Sequence, residues 1–278
     1  MMITRRQWMA GGAALATAMA AGPAMGRALK PKPIGLQLYT VRELFAPDPM
    51  GTLEKVAAIG YKEVEFGGGG YDKLDHAAVR AKMDALGLKC PSLHVGYDAF
   101  ANFDAVVKMS KTLGADTVVL PWMAPAMRNA ESWKVAIANF NLWGGKLKAA
   151  GLGFAYHNHD FEFTTKTGSG NLFDMLVAEA DPAVVKIELD LFWAIAAGED
   201  PKAIIRRLPG RIYAYHVKDR TADGKMVSVG KGVVDFADIF TLNSVAGVKH
   251  FYVENDQSPA PYLPDIQTSF DTLSKLRV

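Results

Sequence analysis

The stretch Ile34-Gly35-Leu36-Gln37-Leu38-Tyr39-Thr40-Val41-Arg42 separates the two folds open to this chain. It is an apolar, strand-like run followed by a turn, and the turn carries no glycine-rich phosphate fingerprint. A doubly wound open sheet that binds a dinucleotide places such glycines directly after its first strand. The run therefore favours the other way of building with alternating strands and helices, a (β/α)8 TIM barrel, and leaves the open sheet second. Outward from it, the alternation continues. Apolar runs at Glu63–Phe66, Leu88–Val95, Thr117–Trp122, Leu152–Tyr156, Val184–Leu189, Arg211–Val217 and His250–Val253 are each followed by a helical pattern. These helices are expected near 50–59, 72–86, 100–113, 130–150, 170–180, 201–208, 235–245 and 265–276. Gly60, Gly87, Gly114 and Gly151 stand where helices should stop. Eight strand–helix units in roughly 250 residues is the stoichiometry of a TIM barrel, an α/β fold. No linker or shift in composition divides the chain, so residues 27–278 read as a single domain.

The 278 residues carry 31 Lys+Arg against 29 Asp+Glu, with one cysteine. Half the residues are hydrophobic and 22% charged, which excludes wholesale disorder. Cys90 alone excludes an internal disulfide framework and a cysteine-rich zinc site. Residues 1–26 contain Arg5 and Arg6 and no acid. Without them the count is 29 against 29, so the rest of the chain is formally neutral. That balance gives no electrostatic case for nucleic acid.

Arg5-Arg6 precede an apolar stretch from Trp8 to about Ala21, then small residues. This is the order of a secretory signal. The paired arginines in Thr4-Arg5-Arg6-Gln7-Trp8-Met9 resemble a twin-arginine export signal, which implies a periplasmic protein exported in the folded state. The apolar run is short and glycine-rich for a bilayer span, so membrane contact is expected only through this segment.

A barrel collects its chemistry at the carboxyl ends of its strands. Costly polar residues appear there: Glu65, His94, the cluster His157-Asn158-His159-Asp160-Phe161-Glu162, Glu188 with Asp190, His216-Val217-Lys218-Asp219, and Glu254-Asn255-Asp256. Strand alternation puts Glu188 and Asp190 on one face, His157 and His159 on one face, and His216 and Lys218 on one face. Singly, His94 reads as a satisfied polar residue, and Asp190 or Glu254 as a helix N-cap or loop ion pair. Together, charged groups inside an apolar barrel are expensive unless paired or bound to metal. Donors from His157, His159, Asp190, His216 and Glu254 would suit Mn²⁺, Mg²⁺, Co²⁺ or Zn²⁺, and the lack of thiols argues against a structural zinc. Trp122, Trp193 and Phe161 offer aromatic faces of the kind that hold sugars. Trp133 and Trp143, on the fourth helix, read as packing residues. Gly67–Gly70 reads as a loop needing unusual backbone angles.

With these residues placed, the chain resembles the xylose-isomerase-like TIM barrels, whose members carry the name sugar phosphate isomerase/epimerase. The resemblance covers nearly the whole chain from Ile34. It rests on Ile34–Arg42, Ala155-Tyr156-His157-Asn158-His159-Asp160-Phe161-Glu162-Phe163, Leu189-Asp190-Leu191-Phe192-Trp193, Tyr215-His216-Val217-Lys218-Asp219 and Val229–Phe236. In the ketose 3-epimerases of the family a divalent metal sits between Glu, Asp, His and Glu on the last four strands. The resemblance implies Asp190, His216 and Glu254 for the last three. The first falls at or near His157, a departure similar to the keto-inositol dehydratase branch. Trp193 stands where those epimerases carry a histidine. Either Glu162, or His157 or His159, must then supply the second acid/base group, or the chemistry uses one base.

The resemblance implies proton abstraction next to a carbonyl, with Glu254, His157, Glu162 and Lys218 as the catalytic candidates. Gln37, Glu65, His94, Trp122, Trp193 and Lys218 are the candidates for holding the sugar. The expected reaction is isomerase or epimerase chemistry on a small non-phosphorylated keto-sugar or 3-keto-glycoside. The alternatives are a dehydratase or lyase on such a sugar, and a non-catalytic periplasmic sugar-binding protein. A metal-dependent nuclease shares the fold, but the neutral balance and the export signal argue against it. The sequence does not choose between monomer and homodimer.

Overall fold

The computed structural model describes residues 33–168 and 170–277, so the export signal read at residues 1–26 lies outside the described residues. Eight parallel strands run β1 Ile34–Gln37, β2 Glu63–Glu65, β3 Ser92–His94, β4 Thr117–Leu120, β5 Gly153–His157, β6 Lys186–Asp190, β7 Ile212–Val217 and β8 His250–Val253. Their order around the sheet is β2-β1-β8-β7-β6-β5-β4-β3. The seam between β2 and β3 is joined by three backbone hydrogen bonds, Val64 N to Lys89 O and His94 N to Phe66 O, each 2.8 Å, and Lys89 N to Lys62 O at 3.0 Å. The result is the expected TIM barrel as a single domain, nearly closed at that seam. Among the described residues no helix is long and apolar enough to cross a membrane.

The outer helices are α1 Pro49–Ile59, α2 His76–Leu86, α3 Phe103–Leu113, α4 Ala130–Ala149, α5 Leu172–Glu179, α6 Pro201–Arg207, α7 Phe236–Phe240 and α8 Leu263–Lys275. Two start later than periodicity suggested, because a local cap wins over apolar spacing. Asp75 accepts from Ala77 N and Ala78 N, and Asn102 accepts from Ala105 N, so α2 and α3 begin just after them. The segment expected as one helix over 235–245 is two, α7 and Asn243–Ala246. Gly87 and Gly114 close α2 and α3 in the left-handed conformation, φ +67° and +84°. Trp133 is buried and donates its indole N–H to Leu172 O at 2.8 Å, and Trp143 stacks on Phe100 at 4.2 Å, both as packing residues.

Strand alternation sorts the barrel interior into layers. The middle layer is an apolar plug of Val119, Ala155, Tyr213, Ala214 and Tyr252. Tyr252 lies so close to β1 that a Cβ at Gly35 would sit 2.5 Å from its ring, which is why glycine stands there. β5 and β6 each reach one residue further than their apolar runs, to His157 and Asp190. Pairing with polar neighbours continues the ladder: His157 lies opposite Glu188, and Asp190 opposite His216. A register shift between Ile187 and Glu188 on β6 lets β7 advance by one residue, which brings that second pair level.

Candidate metal centre and active site

Above the plug, at the carboxyl ends of the strands, the interior opens into a cavity of about 490 Å³. His94, His157, His159, Lys218, Glu254 and Asp256 face it, with Tyr39, Trp122 and Gly67–Gly68 on its rim. The glycine loop has the unusual angles its sequence suggested: Gly68, Gly69 and Gly70 hold φ of +69°, +63° and +72°. A Cβ on Gly67 would meet Gln37 Oε1 at 2.6 Å, so glycine lets this loop close over β1.

Two tiers of ionisable groups line the space. In the lower tier Glu188 Oε1 receives three imidazole nitrogens: His94 Nε2 at 2.8 Å, His216 Nε2 at 2.9 Å and His157 Nδ1 at 3.2 Å. Glu65 Oε2 lies 3.1 Å from His94 Nε2 and 2.8 Å from His216 Nε2. Gln37 donates to that oxygen at 2.8 Å, and the Ser92 hydroxyl reaches the other one. In the upper tier the Lys218 ammonium sits 2.9 Å from Asp190 Oδ2, 2.7 Å from Glu254 Oε2 and 3.0 Å from Asp256 Oδ2. The two tiers are linked by imidazoles: His216 Nδ1 lies 2.6 Å from Glu254 Oε2, and His157 Nε2 lies 3.7 Å from Asp190 Oδ2.

Burial and mutual charge set the protonation states. Burial would lower His94, but Glu65 and Glu188 outweigh it and hold the imidazole up at about 9. His216 is raised in the same way by Glu188 and Glu254. Burial, then the charges of His216 and its neighbours, hold His157 well below its usual range. His159 is pushed down to about 3 by burial and then by Lys218. Burial raises Asp190 to about 6 despite Lys218. For Glu188 and Glu254 burial is outweighed by the facing imidazoles and Lys218, and both are held low. Perturbations of opposite sign within one cavity are what a working site produces.

Two overlapping donor sets fit a divalent cation: His157, Asp190, His216 and Glu254, and His94, His157, Glu188 and His216, each with its ligand atoms within 4.8 Å of one another. Buried Glu188 Oε2 lacks a hydrogen-bond partner, which is the unmet demand a cation would satisfy, whereas Asp190 Oδ2 already faces the Lys218 ammonium at 2.9 Å. The structure thus brings His157, Asp190, His216, Glu254, Lys218 and His94 together. His159 belongs to neither donor set; its ring lies 5.5 Å from Trp193 and its Nδ1 has no partner.

Several expected roles change. Glu162 does not face the cavity: its carboxylate accepts from the Tyr156 hydroxyl at 2.6 Å and from His159 N at 2.8 Å, so it anchors the loop instead of meeting substrate. Gln37 and Glu65, expected to hold sugar, are fully buried and absent from the cavity lining, with Gln37 bonded to Glu65 and Tyr39 N, and Glu65 also facing His94, His216 and Ser92. Trp193 stands behind His159 and Lys218, outside the lining, and its backbone N–H is capped by Asp190 Oδ1 at 2.9 Å. Trp122 remains on the rim, half exposed, with Arg128 packed between it and Phe161. Two residues named among the strand-end polar groups were given no role. Glu188 was visible as sharing a face with Asp190 but not as the hub of three histidines. Asp256 is two residues beyond Glu254, the spacing that puts it on the same side.

The chain matches the xylose isomerase-like TIM barrel family over residues 53–249. It belongs to that family. Among curated proteins it is similar to inosose dehydratase of Clostridium beijerinckii, 28% identical over 153 residues, 48% of this chain and 50% of that one. It is equally similar to inosose dehydratase of Geobacillus thermodenitrificans, 28% identical over 149 residues, 47% of this chain and 49% of that one. The chain spans about half the length of these curated relatives. Among solved structures, a sugar phosphate isomerase/epimerase from Parabacteroides distasonis superposes with a TM-score of 0.75 at 26% identity, covering 87% of this chain and 98% of that one. The IolI protein with a bound zinc atom superposes with a TM-score of 0.68 at 16% identity, over 87% of this chain and 95% of that one, a likeness of fold.

Proposed function

We propose that this member of the family is a metal-dependent lyase that abstracts a proton next to the carbonyl of a non-phosphorylated keto-sugar and expels an oxygen substituent from the neighbouring carbon, as in dehydration of a keto-inositol or cleavage of a 3-keto-glycoside. A bound divalent cation supplies Lewis-acid polarisation of the carbonyl. Its presence is supported by the two donor sets and by the zinc carried by the IolI protein.

The chain's own residues divide the remaining work. His159 faces the cavity with its Nδ1 free of any partner, the position a proton acceptor needs. Its loop is fixed by the hydrogen bond from His159 N to Glu162. Lys218 stabilises negative charge as it develops on the substrate. The proton taken up by His159 can be returned to the leaving oxygen, and Asp256, both of whose oxygens accept from Lys218 at 3.0 Å, holds the ammonium in place.

One observation favours elimination over epimerisation. The β5 end offers no carboxylate to the cavity: His157 stands there, and Glu162 is turned onto Tyr156. The two opposed carboxylates of a ketose epimerase are therefore missing. Isomerase or epimerase chemistry is the second reading, favoured by the name of the 26% identical Parabacteroides protein. We place the reaction in the periplasm on the strength of Arg5-Arg6. Changing both to lysine should hold the precursor in the cytoplasm in cell fractionation, and normal export would refute the placement.

The test is turnover of keto-inositol and 3-keto-glycoside panels by chelated and metal-reloaded protein, with products identified by mass spectrometry. Elimination products that vanish on chelation and return on reloading support the reading. Full activity in demonstrably metal-free protein, or epimers as the sole products, contradicts it.

A further inference from the structure

The family resemblance puts the ion between Asp190, His216, Glu254 and the β5 position, in the upper tier. We infer that in this chain the ion sits one tier deeper, held by His94, His157, Glu188 and His216, and that the Lys218 ammonium takes the upper place beside Asp190 and Glu254. This rests on the reading that the barrel holds a divalent cation.

The upper place already has a cation. Lys218 is fully buried, and its ammonium lies 2.9 Å from Asp190 Oδ2 and 2.7 Å from Glu254 Oε2. A divalent ion on the same two oxygens would stand within a few ångströms of that charge, where like charges repel strongly because little water screens them. Asp256, on the third side of the ammonium at 3.0 Å, holds it there.

The lower place has the donors. Three imidazole nitrogens from three strands reach a single carboxylate oxygen at 2.8–3.2 Å. Ligand atoms bonded at ~2.1 Å to one tetrahedral ion stand about 3.4 Å apart, so these nitrogens need to draw back by only a few tenths of an ångström to share one. Glu188 Oε2 is buried and makes no hydrogen bond, so the carboxylate has capacity left. His94 belongs only to this lower set.

The opposite ring nitrogens complete the pattern. A metal-bound histidine commonly donates its other N–H to a carboxylate, which fixes its tautomer and orientation. With His216 Nε2 and His157 Nδ1 on the ion, His216 Nδ1–H donates to Glu254 at 2.6 Å and His157 Nε2–H faces Asp190 at 3.7 Å. The two carboxylates that the family resemblance assigns to the ion then orient its histidines, and Lys218 holds both. Glu65 Oε2, fixed by Gln37, lies 3.1 Å from His94 Nε2 and 2.8 Å from His216 Nε2, so with the ion bound its negative charge faces the cation instead of accepting from those nitrogens.

A set of three imidazoles and one carboxylate also selects its ion. Imidazole suits zinc and other late transition metals, whereas magnesium prefers oxygen and water. Zinc or cobalt is therefore the expected occupant, over magnesium.

The test uses the chain stripped by chelation and titrated with Zn²⁺, Co²⁺ or Mg²⁺ alone, with no sugar present. Glu188→Gln and His94→Ala, which remove ligands, should lower zinc affinity by well over about 100-fold, against about 10- to 100-fold for Asp190→Asn and Glu254→Gln, which remove outer partners of the ligands. Magnesium should bind far more weakly than zinc. Thermal unfolding of each metal-free variant shows whether it folds. Anomalous scattering at the zinc edge from crystals of the unmutated chain locates the ion without any variant, at ~2.1 Å from His94 Nε2 and His216 Nε2. An ion bonded to Asp190 and Glu254, the reverse ranking of variants, or no bound ion at all overturns the inference. Turnover is not read here, so an upper-tier ion with elimination intact would refute this placement alone, and a lower-tier ion without elimination would refute only the proposed reaction.

Discussion

The two ends of the barrel carry cavities of the same size, about 490 Å³ each, and only one looks like a site. At the amino end, Glu63, Arg80, Asp84, Lys89, Cys90, Asp116 and His250 border the space, and the charges pair off locally, His250 Nδ1 with Glu63 Oε2 and Arg80 Nε with Asp84 Oδ1, each at 2.8 Å. At the carboxyl end four histidines, a lysine and five carboxylates are gathered. The residue types overlap; the density differs. One His–Glu pair satisfies itself, whereas three imidazoles on a single Glu188 oxygen leave more donors than one carboxylate needs. What marks the site is that concentration, which a fold built only for stability would avoid.

The sharpest way to break the comparison is to remove one histidine from each end. His216→Ala should lower zinc affinity and turnover by at least about 100-fold, because His216 belongs to both donor sets and touches Glu65, Glu188 and Glu254. His250→Ala should leave both within about threefold, measured by zinc titration and steady-state rates. Comparable losses from the two would erase the distinction. Next, ion at 100 times its dissociation constant should stabilise the unmutated chain and the His250 variant by about 2.7 kcal/mol, read as a raised melting temperature. The His216 variant should gain almost nothing at the same concentration.

The plug between the ends supplies a third test. Gly35→Ala puts a Cβ 2.5 Å from the Tyr252 ring, so it should cost ~1–3 kcal/mol in urea unfolding. Zinc affinity should change little, because the strain falls beneath both donor sets. The smallest expected effect is on pH dependence. Burial raises Glu162 to about 8 from a usual value of 4.5, so the folded chain holds this proton more tightly than the unfolded one. Its contribution is fully present below about pH 4.5 and is lost as the pH rises through about 8. Glu162→Gln should therefore show a smaller fall in melting temperature between pH 5 and 8 than the unmutated chain.

The barrel was legible because its cause is local. Apolar runs of strand length, glycine stops and the missing fingerprint after Leu38 all act within a few residues. The site was legible in part for the same reason. Alternation along one strand placed Glu188 with Asp190 and His216 with Lys218, and the barrel rule sent them to one end. Which imidazole meets which carboxylate depends on neighbouring strands, including the register shift at Ile187/Glu188. No single run of sequence carries that, so Glu188 was passed over as the hub. Glu162 was misassigned because its direction is set by the turn after His159, where strand periodicity has ended. Gln37 and Glu65 were given to the sugar because the sequence shows that they end strands but not how deep those ends lie.

The central claim is that the carboxyl end removes a proton beside a carbonyl and expels an oxygen from the neighbouring carbon. Its most direct test is proton NMR of a 3-keto-glycoside incubated in D₂O with zinc-loaded protein. The account predicts release of the free aglycone and an unsaturated keto-sugar, both abolished in His159→Ala and in chelated protein. Deuterium incorporation with inversion at the carbon beside the carbonyl, and no released aglycone, would contradict it.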